Sequence, residues 1–449
     1  MKKVRIGVGS GGCAIERMEP AIDLIERGNL DYLIFECLSE RTIVEAQKQK
    51  LLNPKKGYNI MLRSRMKRML KKAKERNIKI ISNMGGANTQ EAVREIIRIA
   101  EEQGIWGLKV AMLCGDDILD RIDEYEDTRL WDSEMRLKEL ENVIFANAYL
   151  GADGIKEALD MGADVVITGR VADPSLFVGA IQREFGFDEK EPEKLGQAIL
   201  AGHLLECCAQ ITGGYYVDPG IKDLKNLDQI GFPIAEMEED GIFTITKLSG
   251  TGGAVNVDIC KEQLLYEIAD PCEYITPDGI ADFSNVKFEQ ITPDKVRVSG
   301  ASAKEKPDTY KVNIGYSDCY QGVAEISYGG LNSLNRARFV ADMVKKRWEI
   351  IGVIPLEYRI DYIGYNSLYG DKIAGLLSDG ICPEVRLRIA VRTKTEEEAI
   401  ELNHEIQCLY INGAAGSAGI SANVQKVISV ANIIIPREDI SYYVTLEEV

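Results

Sequence analysis

Residues 162–174 read GADVVITGRVADP, and this stretch decides the fold of the chain. An apolar, β-branched run from Ala163 to Ile167 is interrupted only by Asp164, and polar residues begin at Thr168. A strand without polar alternation is typical of a parallel sheet that helices cover on both faces. Ligands of such sheets lie beyond the carboxyl ends of the strands. The stretch therefore predicts a buried strand that ends at a functional site.

The N-terminal half repeats this pattern, with small or polar residues after each apolar strand. Strands are predicted at 3–9, 31–38, 78–82, 108–113 and 143–150, and helices at 19–27, 60–76, 90–102 and 155–161. Strands that alternate with helices indicate βαβ units and a parallel sheet. From about residue 225 short alternating runs replace this pattern. We predict an α/β domain over residues 1–230, with a mostly parallel sheet and flanking helices, and an α+β domain over residues 231–449.

Composition excludes several classes of protein. The formal net charge of −17 argues against nucleic acid or an anionic membrane surface as the main partner. The ten cysteines form no C-x-x-C pair and there are only two histidines, so neither a disulfide framework nor a zinc site is expected. No apolar run is long enough to span a bilayer. We expect a cytoplasmic homo-oligomer.

Arg170 and Asp173 follow the central strand and are the strongest individual candidates. An arginine at a strand end can bind a carboxylate or a phosphate bidentately. The alternative is an Arg170–Asp173 ion pair that only fixes the loop. His203 and Glu206 share one face of a predicted helix. They can form a proton-transfer pair or serve as two metal ligands. The alternative is that His203 is purely structural. Thr212 and Gly213 follow that helix closely.

Carboxylate residues and glycine-rich turns follow the other predicted strands. Glu36, Glu40 and Asp116 can act as general acids and bases or hold a divalent cation, although Glu40 can equally be a solvated residue. The turn at 83–88, NMGGAN, offers backbone amides and two carboxamides for an anion, with Thr89 as the expected N-cap. Its glycines can instead serve only to supply positive φ angles.

Residues 7–12, GVGSGG, fit the pattern G-x-G-x-x-G of dinucleotide-binding loops. The next helix, however, is predicted to begin near Pro20, too late to hold a pyrophosphate. We therefore expect Gly11 and Gly12 to contact some other ligand and do not expect NAD.

Three long phrases together resemble one known family. They are GADVVITGRVADPSLFVGA (162–180), GHLLECCAQITGGYY (202–216) and ITKLSGTGGAVNVDICKEQLLYEIADPCEYITPD (245–278). The sequence resembles the AtuA-like (acyclic terpene utilisation) family along nearly its whole length. The resemblance implies a role in the degradation of branched acids and their coenzyme A thioesters, in some cases beside a small partner subunit.

These observations predict a catabolic enzyme that acts on a carboxylic acid or an acyl-CoA, a hydro-lyase or isomerase that uses general acid/base chemistry. The alternatives are a non-catalytic accessory subunit of a two-component enzyme and an NAD-dependent oxidoreductase. The predicted catalytic residues are Arg170, Asp173, His203, Glu206 and Glu36. The predicted substrate-binding residues are Gly11, Gly12, Glu40, Asn83, Gly85, Gly86, Asn88, Asp116, Thr168, Gly169, Thr212 and Gly213.

Overall fold

The computed structural model describes residues 2–12, 15–377 and 382–449. The chain divides into two compact units. The first consists of Met1–Glu139, Phe145–Ile314 and Val430–Val449, and the second of Leu140–Ile144 and Gly315–Ser429. The predicted domain boundary at residue 230 stays a prediction. Strands from both sides of that residue join one sheet of the first unit.

Helices and strands alternate along the first part of the chain. In order, the elements up to residue 304 are β1 (Lys3–Ser10), α1 (Glu19–Arg27), β2 (Tyr32–Phe35), α2 (Glu40–Leu52), α3 (Leu62–Glu75), β3 (Lys79–Ser82), α4 (Thr89–Gln103), β4 (Lys109–Cys114), β5 (Val143–Ala148), α5 (Asp153–Asp160), β6 (Val165–Thr168), α6 (Ser175–Phe185), α7 (Pro192–Glu206), β7 (Pro233–Glu238), β8 (Phe243–Lys247), α8 (Val257–Leu265), β9 (Tyr274–Thr276), β10 (Gly279–Asp282), β11 (Lys287–Thr292), β12 (Lys295–Ser299) and β13 (Ser302–Lys304).

Longer strands follow in the remainder of the chain. These elements are β14 (Thr309–Gly329), α9 (Ser333–Ile351), β15 (Glu357–Ile363), α10 (Gly370–Leu377), β16 (Glu384–Thr393), α11 (Glu396–Gln407), α12 (Leu409–Asn412), β17 (Ser417–Pro436) and β18 (Tyr443–Glu448).

A ten-stranded sheet forms the centre of the first unit, in the order β11-β12-β8-β7-β1-β2-β3-β6-β4-β18. The five strands β1, β2, β3, β6 and β4 are parallel, and antiparallel strands flank them on both sides. β6, the strand of the GADVVITGRVADP stretch, lies between β3 and β4, and all of its residues are buried. The predicted α/β class, with a mainly parallel N-terminal sheet, is confirmed.

A separate sheet, in the order β15-β16-β14-β17, characterises the C-terminal region. Apolar residues of β14 and β16, such as Ile326 and Leu387, form a second hydrophobic cluster with Val340 of α9 and Leu402 of α11. Helices that pack on this sheet confirm the predicted α+β class of the C-terminal region.

Two helix starts differ from the predictions. The side chain of Asn88, and not Thr89, caps α4, because its Oδ1 accepts the N–H of Glu91 at 3.4 Å. The N-cap prediction for Thr89 is wrong, since Thr89 is already the first helical residue. Helix α2 was not predicted at all. Ser39 and Thr42 start it through reciprocal hydrogen bonds between their side chains and backbone amides.

The first two glycines of the G-x-G-x-x-G pattern, Gly7 and Gly9, lie within β1. A Cβ atom at Gly7 would overlap the side chain of Leu30, and one at Gly9 would overlap the ring of Phe35. Helix α1 begins only at Glu19, with Pro20 in its first turn, as predicted. Gly7 and Gly9 therefore allow β1 to pack closely against its neighbours.

Across residues 2–12, 15–377 and 382–449, no helix is long and apolar enough to cross a membrane.

The close approach of β3 to β6 depends on the turn after β3. A Cβ atom at Gly85 would overlap the backbone carbonyl of Thr168, which cannot move without disturbing the sheet. We expect Gly85→Ala to lower the free energy of unfolding by about 2 kcal/mol, measured by urea denaturation. The control is Gly329→Ala, where an added methyl group meets nothing within 4 Å. Equal stabilities of the two variants would contradict this packing.

Candidate active site

Polar residues that follow the parallel strands meet at one edge of the sheet. Asn83, after β3, donates through Nδ2 to Glu36 Oε1, after β2, at 3.2 Å. Its Oδ1 accepts the Cys37 N–H at 2.6 Å. Asp116, after β4, accepts the backbone N–H of Arg170, after β6, at 2.8 Å. The structure thus brings four of the predicted site residues together, as expected for the carboxyl ends of parallel strands.

The guanidinium of Arg170 is buried at this edge, with 1% of its side chain exposed. Nη1 donates to the Leu38 carbonyl at 2.5 Å, and Nε and Nη2 donate to the Val171 carbonyl at 3.0 and 2.7 Å. Nη2 also pairs with Asp173 Oδ1. The ring of Tyr149 lies 4.4 Å from the guanidinium carbon. The protein itself thus satisfies most of the donors of Arg170, and the ion pair considered as the alternative is present.

Glu36, Asp173 and Glu206 each interact with the positive charge of Arg170, and we refer to these three residues as the carboxyl cluster. Burial raises the pKa of Glu36 to about 8, and the negative charge of Asp173 contributes to the rise while Arg170 opposes it. Burial and the charge of Asp173 also raise the pKa of Glu206 well above its usual range. The pKa of Asp173, whose side chain is only partly buried, is also raised, because the effect of burial exceeds the opposing charge of Arg170. Near neutral pH the carboxyl cluster therefore retains protons.

His203 lies one turn before Glu206 on α7, with Nδ1 3.4 Å from Glu206 Oε1. Its Nε2 lies 3.1 Å from the Leu264 carbonyl, which can only accept, so we assign the proton to Nε2. Burial lowers the pKa of His203 to about 4, and the imidazole is neutral at pH 7. Nδ1 is then an acceptor that faces Glu206. The pair is best described as a protonated carboxyl beside a neutral imidazole.

Close packing at Gly11 brings α7 to the end of β1. A Cβ atom at Gly11 would overlap the backbone carbonyl of Glu206. The carboxylate of Glu16 accepts the N–H groups of both Gly11 and Ala209, the latter at 3.1 Å. Gly12 is exposed, with φ of 54°. Gly11 thus helps to position Glu206 at the sheet edge.

In the turn at 83–88, both carboxamides bond to the protein. Asn88 donates to the Pro54 and Lys56 carbonyls at 2.9 and 2.7 Å, while Asn83 bonds to Glu36 and Cys37 as described above. Gly86 has φ of 56°, which supports the interpretation as a tight turn. These amides hold the sheet edge together.

Other predicted residues bond to nearby backbone. Thr168 Oγ1 donates to the Gly169 carbonyl at 3.0 Å, and Asp116 occupies the space that a side chain at Gly169 would need. The Thr212 hydroxyl contacts the Ala209 and Gly231 carbonyls at 3.0 and 2.7 Å. Gly213, with φ of 102°, ends the short helical turn at 208–212. Thr212 and Gly213 fix the chain that follows α7.

A cavity of about 240 Å³ borders Asp173, with Tyr149, Tyr274 and Lys311 among its walls. Lys311 Nζ lies 2.9 Å from Glu40 Oε1, and the Tyr149 hydroxyl lies 3.3 Å from the same oxygen. Tyr149, Tyr274 and Lys311 are not among the residues predicted from the sequence. Tyr149 could have been found because it follows β5, whereas Lys311 lies inside a long strand and gives no local signal.

Burial also raises the pKa of Asp116, to about 6, and Asn147 donates to its carboxylate at 2.9 Å. Within the part of the chain that the structure describes, no three His, Cys, Asp or Glu side chains are arranged to hold a metal ion.

The fold and this site define an α/β protein with a partly protonated carboxyl cluster at the carboxyl ends of its parallel strands. The model of the acyclic terpene utilisation family protein AtuA matches residues 4–446 of the 449 residues. The chain therefore belongs to the AtuA family, which suggests a catabolic role. A search of curated proteins returns no match to this sequence.

Removal of the Arg170 guanidinium leaves the Leu38 and Val171 carbonyls and Asp173 without their donor. We expect Arg170→Met to lower the free energy of unfolding by about 3 kcal/mol, because buried polar groups lose their partners. Urea denaturation measures the change. As a control, Arg121→Met removes an exposed arginine that pairs with Glu124 and should leave stability nearly unchanged. If both variants are as stable as the wild type, Arg170 does not hold the edge together.

Proposed function

We propose that this protein is a catabolic enzyme that acts on a carboxylic acid or its acyl thioester. In this proposal it is a hydro-lyase or isomerase that moves a proton on the carbon next to the carbonyl group. The observation that supports it is the carboxyl cluster, in which three acids share one buried cation. Acids whose pKa lies near the working pH are effective proton donors and acceptors.

Asp173 is the cluster member best placed to act as the base. Its side chain is 36% exposed, compared with 13% for Glu206, and it borders the cavity. In the proposed reaction its ionised carboxylate removes the proton from the carbon next to the carbonyl. Asp173 is then neutral, so its charge no longer raises the pKa of Glu36 and Glu206. Either acid then loses its proton more readily.

Glu36 and Glu206 are the candidate acids, because the pKa of each is raised. In a hydro-lyase, one of them protonates the leaving hydroxyl, so that water departs and a carbon–carbon double bond forms. In an isomerase, the proton returns to a different carbon. His203 acts as a positioning residue, since its Nδ1 faces Glu206.

The cavity supplies groups for an acid or a thioester. The Lys311 ammonium lies 4.9 Å from the ring of Tyr149 and can attract the carbonyl oxygen or carboxylate of the substrate. Ile275, Pro277 and Ile434 provide apolar walls for a hydrocarbon chain. In this proposal the ligand is a small anionic or acyl-CoA molecule.

The size of the cavity favours a second candidate function. Its volume of about 240 Å³ lies below the roughly 300 Å³ at which small-molecule pockets usually begin. A non-catalytic subunit whose site is completed by a partner would have such a partial cavity.

Proton exchange in D₂O tests the enzyme proposal. The full chain is incubated with branched acids and their coenzyme A thioesters, and mass spectrometry measures deuterium uptake. We expect uptake by the wild type and a loss of about 100-fold or more in Asp173→Asn, since this removes the base. The control, Asp160→Asn, changes an exposed aspartate of α5 and should exchange at the wild-type rate.

Two results would contradict the proposal. One is undiminished uptake by Asp173→Asn. The other is wild-type uptake no faster than in buffer for every compound, which would favour the accessory subunit.

A further inference from the structure

A second, larger cavity of the first unit lies outside the carboxyl cluster. Its volume is about 830 Å³, and it lies between the C-terminal end of α2, the segment at 53–61, and helices α3 and α4. We refer to it as the α2–α4 groove. Small-molecule sites commonly measure about 300–1,000 Å³, so the groove can hold a ligand of that size.

Cations outnumber acids in the α2–α4 groove. Four positively charged side chains line it, Lys55, Lys56, Arg63 and Arg98, against two acidic side chains, Glu91 and Glu95. This excess is local, because the chain as a whole carries a formal charge of −17. The groove is therefore a place where an acidic protein can attract an anion.

The two lysines carry the uncompensated charge. Arg98 pairs with the buried carboxylate of Glu95, and Arg63 pairs with both Glu95 and Glu102, so the charges of the two arginines are largely balanced. Lys55 and Lys56 are exposed, and neither pairs with a carboxylate within residues 2–12, 15–377 and 382–449. The ammonium groups of these two neighbouring residues can bind the phosphate groups of a ligand.

Apolar and aromatic surface lies in the same groove. Leu52 is 88% exposed and Ile60 is 73% exposed, and both line the cavity together with the half-buried Tyr58. Lys56 Nζ lies 5.7 Å from the centre of the Tyr58 ring, so cationic and aromatic groups are side by side. A ligand that carries phosphates and a flat aromatic ring would contact both the lysines and the aromatic and apolar surface of the groove.

We propose that the α2–α4 groove binds a nucleotide, with its phosphates on Lys55 and Lys56 and its base against Tyr58 and Ile60. Stacking on an aromatic ring does not depend on the identity of the base. The nucleotide can be a free molecule or the nucleotide end of a thioester substrate. In the second case the inference rests on the proposed function.

The backbone connects this groove with the sheet edge. Asn59 donates from its backbone N–H to the Met84 carbonyl at 2.9 Å and from Nδ2 to the Cys37 carbonyl at 3.4 Å. The Ala87 N–H donates to the Gly57 carbonyl at 2.8 Å. The segment that lines the groove is thus bonded to the residues next to Asn83 and Glu36.

Titration calorimetry of the full chain with ADP, and separately with coenzyme A, tests the proposal. We expect ADP to bind with an affinity that falls as salt is added. The double variant Lys55→Ala/Lys56→Ala should bind at least about tenfold more weakly, because two charged hydrogen bonds are lost. The matched control, Lys71→Ala/Lys261→Ala, removes two exposed lysines elsewhere and should bind like the wild type. Circular dichroism verifies that both variants are folded.

The outcomes separate the two sources of the nucleotide. Coenzyme A binding at least tenfold tighter than ADP identifies the nucleotide end of a thioester, and equal affinities identify a free nucleotide. No binding of either compound at millimolar concentration would overturn the inference, as would equal affinities of the two double variants. Because these are binding measurements, a nucleotide site stands even if the D₂O exchange experiment fails, and the reverse also holds.

Discussion

The buried positive charge of Arg170 is the constraint on which the arrangement of the sheet edge depends. An arginine can be buried only where carbonyls and carboxylates replace its water. Its partners are the Leu38 carbonyl after β2, the Val171 carbonyl and Asp173 after β6, and the ring of Tyr149 after β5. Its backbone N–H reaches Asp116 after β4. One residue thus joins the ends of four strands.

The same charge governs the protonation of the site. One guanidinium lies among three carboxyl groups, Glu36, Asp173 and Glu206, and it cannot compensate all of them if each is ionised. His203 supplies no second cation, because burial keeps its imidazole neutral. Protons therefore remain on the carboxyl cluster. In the proposed reaction the role of Arg170 is electrostatic, since the protein itself occupies most of its donors.

The sequence was sufficient to predict the class of fold and the edge at which the polar residues meet. The apolar run at 163–167 indicates a buried strand, and parallel strands place their carboxyl ends together, so the approach of Asn83 to Glu36 follows. The partners of each side chain could not be predicted. The bonds of Asn88 to the Pro54 and Lys56 carbonyls depend on the path of a distant segment. Lys311 reaches the site from a strand far along the chain.

Infrared titration of the wild type and Glu36→Gln measures the protonation of buried carboxyl groups most directly. Because burial raises the pKa of Glu36 to about 8, its carboxyl is protonated at neutral pH and loses its proton only as the pH rises through that value. The account predicts a carboxylic acid band in the wild type at pH 7 that decreases as the pH rises through about 8, and a smaller band at pH 7 in Glu36→Gln. A wild type whose carboxyl groups are all ionised at pH 7 would contradict it.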